Sequence, residues 1–229
     1  MKYDTIFFDI GNTLYFYNYD FLCELLADRF EIDVGGVELA DAHRRAQISV
    51  IKGGIEGLTH AELWDRTYLK WFELTGIDNE KARSIIDSIR SHPFRHLFWA
   101  HMEEGTREML DWFRERGFKL GVISNAEGQI RRLLEHTGTY SRFDVVIDSS
   151  EVGVSKPDTR IFTLAMERMG AVPSRSIYVG DLVEIDVAGA KGAGLTPILV
   201  DRYGNNADAG CITVARAVDL PKLSMFAGA

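Results

Sequence analysis

The chain of 229 residues is 46% hydrophobic with a formal net charge of −8, long and apolar enough for one large cored domain or a domain with a sizeable insertion. Nucleic acids and anionic membranes reward basic surfaces, so that charge argues against both as partners, and an anionic substrate has to be held by local cations or a metal. Cys23 and Cys211 stand far apart without metal-ligand spacing and read as isolated reduced thiols.

The first apolar run, 4–9 (DTIFFD), has the length and residue types of a buried strand and ends on Asp9. Lys2, Asp4 and Asp9 break up the apolar region that a signal peptide would need, and no later run approaches membrane-spanning length, so a cytoplasmic location is expected. Helical spacing fills 19–30, 37–51, 60–75 and 80–90, the third opened by Thr59 and Glu62 as a capping box. From there, helix and strand patterns alternate: helix 106–116, strand 119–124, helix 127–136, strand 144–149, helix 159–169, then strands 176–181 and 197–200. Gly117, Gly138 and Gly170 stand where those three helices would stop.

Strands alternating with helices predict an α/β fold with a doubly wound parallel sheet. Roughly a hundred residues separate Asp9 from Lys119, whereas an ordinary connection takes about 2–6. Residues 15–95 are therefore expected to form a small helical cap domain with Trp64, Trp71 and Phe72 as its core, and 1–14 with 96–229 the α/β core. The tail from Tyr203 reads as one short strand, Ile212 to Val214, and a fraying end. Monomer and homodimer both remain open.

Open α/β sheets bind ligands outside the carboxyl ends of their strands. Asp9, Ser124 with Asn125, Lys156, and Asp181 with Asp186 all fall at such ends. Three carboxylates in one place repel unless a cation relieves them, and Mg²⁺ is the usual oxygen-loving solution. A lysine among them makes sense against a phosphate dianion and the charge developing in phosphoryl transfer. An aspartate can itself attack phosphorus, dividing hydrolysis into two easier steps. The turn after Asp9 offers the backbone N–H groups of Asn12 and Thr13 to phosphoryl oxygens, with Asn125 as a further substrate contact.

In this order and spacing the residues resemble the haloacid dehalogenase-like superfamily of aspartate-nucleophile phosphohydrolases. "DIGNTL" from Asp9 resembles its D-x-D-G-T-L, Ser124 in "GVISN" its second motif, Lys156-Pro157 its third, and Gly180-Asp181 to Asp186 its G-D-x-x-x-x-D. The likeness covers 1–14 and about 96–200, and the inserted helices resemble the family's cap. The resemblance implies Asp9 as nucleophile and metal ligand, Ser124 as a hydrogen-bond donor to the phosphoryl group, and Lys156 as the organising cation. It implies Mg²⁺ held by Asp9, the Gly11 carbonyl, Asp181 and Asp186, and a small phosphorylated metabolite as substrate.

One position departs from that pattern. Gly11 stands where the family's phosphatases carry the aspartate that protonates the leaving group, a function worth roughly 10²–10⁴-fold. Three readings follow. The first is a phosphatase for easily leaving groups, or one drawing its acid from Tyr15, Tyr17, His96 or His101. The second is a carbon–halogen or carbon–phosphorus hydrolase, the latter needing a cap lysine among Lys52, Lys70 and Lys81. The third is a phospho-ligand-binding descendant without turnover. The retained Asp181 and Asp186 weigh against dehalogenation, and the retained charged cluster against a site without use.

Overall fold

The computed structural model describes residues 2–55, 57–204, 206 and 208–227, with the backbone alone at His60. The chain divides into two units, Met1–Tyr17 with Trp99–Ala229, and Asn18–Phe98.

The first unit is built on a parallel sheet of six strands: β1 (Thr5–Phe8), β4 (Lys119–Ser124), β5 (Val145–Asp148), β6 (Ser176–Gly180), β7 (Thr196–Val200) and β8 (Ile212–Val214). Two further short strands, β2 (Tyr15–Phe16) and β3 (His101–Met102), pair antiparallel where the chain leaves and re-enters this unit. The strand order is β5-β4-β1-β6-β7-β8. It places β1 at the centre, with Phe8 opposite Val122 of β4 on one side and Val179 of β6 on the other.

Every residue of β1 is fully buried, because a parallel sheet is covered on both faces and its strands read as continuous apolar runs rather than alternating ones. Alternation sends the side chains to two cores. Ile6 and Phe8 join Met109, Leu110 and Phe113 of α5 (Thr106–Glu115) and Leu133 and Leu134 of α6 (Ile130–His136). Phe7 joins Ile161, Phe162, Ala165, Met166 and Met169 of α8 (Thr159–Met169) on the opposite face. The second face approaches so closely that a Cβ at Gly121 would lie 2.6 Å from the Phe7 ring and 2.7 Å from Met169 Cε, so only glycine fits between them.

Among the short helical turns of this unit that the sequence pattern does not mark are α7 (Ser149–Val152), a π-helical turn at Val183–Val187 and α9 (Ala188–Gly192). The tail corrects the expectation of a fraying end. After β8 it forms 3₁₀ turns at Ala217–Lys222 and Ser224–Phe226. Phe226 is 2% exposed, with its ring centroid 4.9 Å from Phe113 and 5.7 Å from Phe118. A large apolar ring excludes water best in a pocket lined by others. Gly228 and Ala229 lie outside the described residues.

Among the described residues, the second unit contains four α-helices, α1 (Tyr19–Phe30), α2 (Gly36–Lys52), α3 (His60–Leu74) and α4 (Asn79–Ser91). The Thr59–Glu62 capping box is present in both halves. Trp71 and Phe72 are fully buried, and the Trp71 indole N–H donates to the Leu39 carbonyl at 2.8 Å. His43 stacks on Trp71 at 4.1 Å between centroids, and its Nδ1 is 3.0 Å from the Tyr19 hydroxyl. Burial depresses its pKa from 6.5 to about 3, so the ring is held neutral.

Candidate active site

The chain turns sharply on leaving β1. Asp9 donates its backbone N–H to Val179 at 2.8 Å, prolonging the strand pairing by one residue. The carbonyl of Ile10 then accepts from Thr13, Leu14 and Tyr15. Asn12 takes a left-handed φ of 55° to close this turn, a conformation that asparagine tolerates better than most residues. The Asp9 carboxylate is thereby fixed at the carboxyl edge of the central strand, buried at 7% exposure.

Three acids and one ammonium group meet at that edge. Ligand oxygens of Asp9, Asp181 and Asp186 lie within 4.8 Å of one another. Lys156 Nζ, on a side chain only 3% exposed, donates to Asp9 Oδ1, Asp186 Oδ1 and the Tyr178 hydroxyl, each at 2.7 Å. An ammonium has three protons, and all three are spent here. The Tyr178 hydroxyl in turn has both Asp186 Oδ1 and the Ile123 carbonyl at 3.0 Å to receive its proton. Asp186 Oδ2 accepts from the backbone N–H groups of Asp181 at 3.1 Å and Leu182 at 2.9 Å. That approach requires glycine at 180, since a Cβ there would overlap the Asp186 carboxyl group.

Lys156 sits in a loop, so its aim depends on how the loop is held. Asn125, directly after β4, clamps its backbone from both sides: Nδ2 donates to the Lys156 carbonyl at 2.9 Å, and Oδ1 accepts from the Lys156 N–H at 2.8 Å. The side chain expected to contact substrate is thus engaged in positioning the lysine. Ser124, 4% exposed at the end of β4, makes no side-chain hydrogen bond among the described residues. Thr13 is fully buried, and its Oγ1 is without a partner among the described residues.

Three against one in charge, the cluster resists full ionisation. Burial pushes the Asp9 carboxyl up, and the Asp186 charge adds to this while Lys156 opposes it. Asp181 is raised well above the usual carboxylate range by burial and by the charges of Asp186 and Asp9. The Tyr178 hydroxyl is raised well above its usual value, first by burial and then by the neighbouring acids. Lys156 is raised although burial works against it, because the two acids that it bridges favour the ammonium form. A divalent cation among these oxygens would remove the remaining repulsion, and a set of hard carboxylate donors suits Mg²⁺.

The side chains named for a substitute acid fare differently. The Tyr15 hydroxyl is turned into the core, 2.7 Å from both Thr137 Oγ1 and Thr139 Oγ1, and is not free to serve. Tyr17 is 2% exposed, its ring edge-on to Trp99 at 5.2 Å. His101 is exposed on β3 opposite Phe16, and His96 belongs to the second unit. Lys70 pairs with Glu73 at 2.9 Å along its own helix. Sequence reasoning missed Tyr178, which stands in an apolar run and reads as core; the signal is its hydroxyl, which needs a partner when buried.

A family model described as haloacid dehalogenase-like hydrolase matches residues 3–194. Haloacid dehalogenase-like hydrolase domain-containing protein 3 of Mus musculus is 33% identical over 144 residues, covering 63% of this chain and 57% of its own length. Glyceraldehyde 3-phosphate phosphatase of Methanothermobacter thermautotrophicus is 42% identical over 98 residues, 42% of each chain. The matched stretches thus span about half the length of these curated relatives. Magnesium-bound YfnB of Bacillus subtilis superposes with a TM-score of 0.76 at 17% identity, covering 97% of this chain and 98% of that one, a likeness of fold alone. With its four motifs at the carboxyl edge of a parallel sheet and a family match over most of its length, the chain belongs to the haloacid dehalogenase-like hydrolases.

Proposed function

We propose that the chain is a Mg²⁺-dependent phosphohydrolase that attacks a small phosphorylated metabolite through Asp9. The observation that carries this reading is the cluster of three carboxylates, two of them buried and bridged by one lysine. Its surplus of negative charge invites a divalent cation, and its lysine stands beside the carboxylate best placed to react. The phosphatase names of relatives such as the archaeal enzyme above support the same reading. Halide departure needs no divalent cation, so the acid cluster favours phosphoryl chemistry over dehalogenation.

Lys156 holds Asp9 through Oδ1, which leaves Oδ2 to attack phosphorus. The bond from phosphorus to the leaving oxygen breaks as the bond to Oδ2 forms, giving an aspartyl-phosphate that water then hydrolyses. Asp9, Asp181 and the Gly11 carbonyl would hold Mg²⁺, with Asp186 steadying Lys156 and the loop at 181–182. When bound, the ion supplies charge stabilisation of the phosphoryl oxygens. The hydroxyl of Ser124 binds those oxygens, while Lys156 offsets the charge that builds on them; the N–H groups of Asn12 and Thr13, expected to share this role, donate instead to the Tyr15 and Ile10 carbonyls at 2.7 and 3.3 Å.

The test is phosphate release from a panel of phosphorylated metabolites, with Mg²⁺ and with chelator, for wild type and Asp9→Asn. Release that needs the metal and vanishes in Asp9→Asn is expected, together with a base-labile phosphoenzyme after acid quench. Metal-independent release, or release surviving in Asp9→Asn, would refute the mechanism.

A further inference from the structure

The turn that carries the chain from β4 into α6 is held from outside itself. Ser124 ends β4 directly opposite Asp148 at the end of β5. Residues 125–129 follow, and α6 opens on Gln129 without a side-chain cap, so the polar backbone of the turn has to find partners elsewhere. It finds them in the last residue of β5 and the one after it. Asp148 Oδ2 accepts the Gly128 N–H at 2.9 Å. Ser149 Oγ accepts the Ala126 N–H at 3.1 Å and donates to the Ala126 carbonyl at 3.3 Å. The other oxygen of Asp148, Oδ1, accepts the N–H and the hydroxyl of Ser150 at 3.0 and 2.8 Å, where α7 begins.

Asp148 is 1% exposed, and a carboxyl group that deep is costly unless its oxygens are hydrogen-bonded. A neutral serine or asparagine would cap a helix as short as α7 equally well; what the second oxygen adds is the tie to Gly128. That tie closes a ring. From Asp148 the chain runs through α7 to Lys156, whose backbone N–H and carbonyl are gripped by the Asn125 side chain at 2.8 and 2.9 Å. From Asn125 the turn leads to Gly128 and so back to Asp148. Ser149 braces the ring across its middle. Lys156 Nζ reaches from it to Asp9 Oδ1 at 2.7 Å. Without the tie, the turn and Asn125 are free to shift, and the ammonium group moves with the backbone that carries it.

We propose that Asp148 is a positioning residue for the reaction at Asp9: it fixes the turn at 125–128, through Asn125 the backbone of Lys156, and through Lys156 the carboxylate that attacks. Ser149 assists from the same strand end. In this role Asp148 touches neither phosphate nor metal, so its effect falls on the rate of the chemical step and not on substrate binding. The inference rests on the phosphohydrolase reading above and adds to it a residue remote from the reacting atoms.

The experiment measures Mg²⁺-dependent hydrolysis of p-nitrophenyl phosphate by Asp148→Ala, Asn125→Ala and the two combined, each assayed below its melting temperature. A displacement on the order of 1 Å costs about 10²-fold, so each single variant should lose roughly that factor in kcat with KM little changed. Because both act through the same backbone, the combination should be no slower than Asn125→Ala alone, to within about threefold, whereas independent losses would multiply to roughly 10⁴-fold. Ser150→Ala removes a bond to Asp148 without touching the turn and should stay within about threefold of wild type; a loss equal to that of Asp148→Ala would assign the effect to the start of α7 and overturn the inference. If Asp148→Ala melts too low to assay, Asp148→Ser takes its place in the cycle, since it keeps the cap of α7 and loses the tie to Gly128. A multiplicative double variant would overturn the inference, as would a kcat for Asp148→Ala within about threefold of wild type, or a rise in KM alone. Those outcomes leave phosphatase activity intact, whereas no release of nitrophenol by the wild type would overturn the phosphohydrolase reading itself and the inference with it.

Discussion

Gly180→Ala tests whether the site depends on the close approach of Asp186. A Cβ at 180 would sit 2.6 Å from Oδ2 of Asp186, whereas ordinary contact begins at 3.4 Å, so the carboxylate must retreat by about 0.8 Å. That oxygen accepts the N–H groups of Asp181 and Leu182 at 3.1 and 2.9 Å, and the retreat carries both beyond hydrogen-bond range. Bonds to a charged group are worth about 1.5–3 kcal/mol each, so stability should fall by about 3 kcal/mol at the lower end for both. For a chain of this size that corresponds to a drop of roughly 6–12 °C in melting temperature. Oδ1 of the same carboxylate holds Lys156 Nζ, so the lysine loses its aim at Asp9. Misplacement on the order of 1 Å costs about 10²-fold in rate. Phosphate release should fall by that factor at saturating Mg²⁺, assayed well below the lowered melting temperature, with differential scanning fluorimetry as the stability readout. A variant that melts early yet turns over within about threefold of wild type would show that the place of Asp186 matters to the fold and not to the chemistry.

Three further outcomes are expected. Lys156→Met leaves Asp9 and Asp186 buried without their counter-charge, at a cost of about 3–5 kcal/mol; the melting temperature of this variant should rise with added Mg²⁺ more than that of wild type, and equal responses would count against a shared charge centre. The neutral His43 makes the helical unit acid-sensitive: its pKa is lowered from 6.5 to about 3 on folding, so the unfolded chain binds the extra proton between those values. That stabilisation is complete above pH 6.5 and is lost as pH falls toward 3, with a slope of about 1.4 kcal/mol per pH unit, and urea melts of wild type and His43→Gln across this window should diverge in slope. Phe226→Ala removes a ring buried against Phe113 and Phe118 and should cost about 3–5 kcal/mol, measurable by denaturant unfolding; an unchanged midpoint would mean that the tail is ornamental to the core.

The sheet and the charged residues at its edge were legible because both follow from short-range rules. An apolar run of four to six residues marks a buried strand, and a polar residue at its carboxyl end falls on the rim where ligands of such sheets bind. Asp9, Ser124 and Asp181 are of that kind, whereas Lys156 and Asp186 reach the rim from the loop after β5 and the π-helical turn after β6. Asn125 was placed correctly on the rim, but its engagement with the Lys156 backbone depends on a loop more than thirty residues away in sequence, which no local pattern records. Tyr178 was hidden by its own strand, since an aromatic in an apolar run looks like core until its hydroxyl is followed to Lys156. The tail was misjudged because Gly and Asn punctuation outweighed Val214, Ala217, Leu220 and Phe226, all of which are buried in the core.

The central place of β1 has a consequence for how the protein is made. β1 leaves the ribosome well before its two neighbours, β4 and β6, which begin at Lys119 and Ser176. At about 5–20 residues per second of synthesis, both edges of an apolar strand wait on the order of ten seconds for partners. During that interval the helices of 18–98 are completed, and they form a unit of local contacts, the kind that folds fastest. Asp9 thus follows a strand made long before the partners that fix its place, so newly made chains are most exposed to mispairing and capture by chaperones at the strand that leads to it.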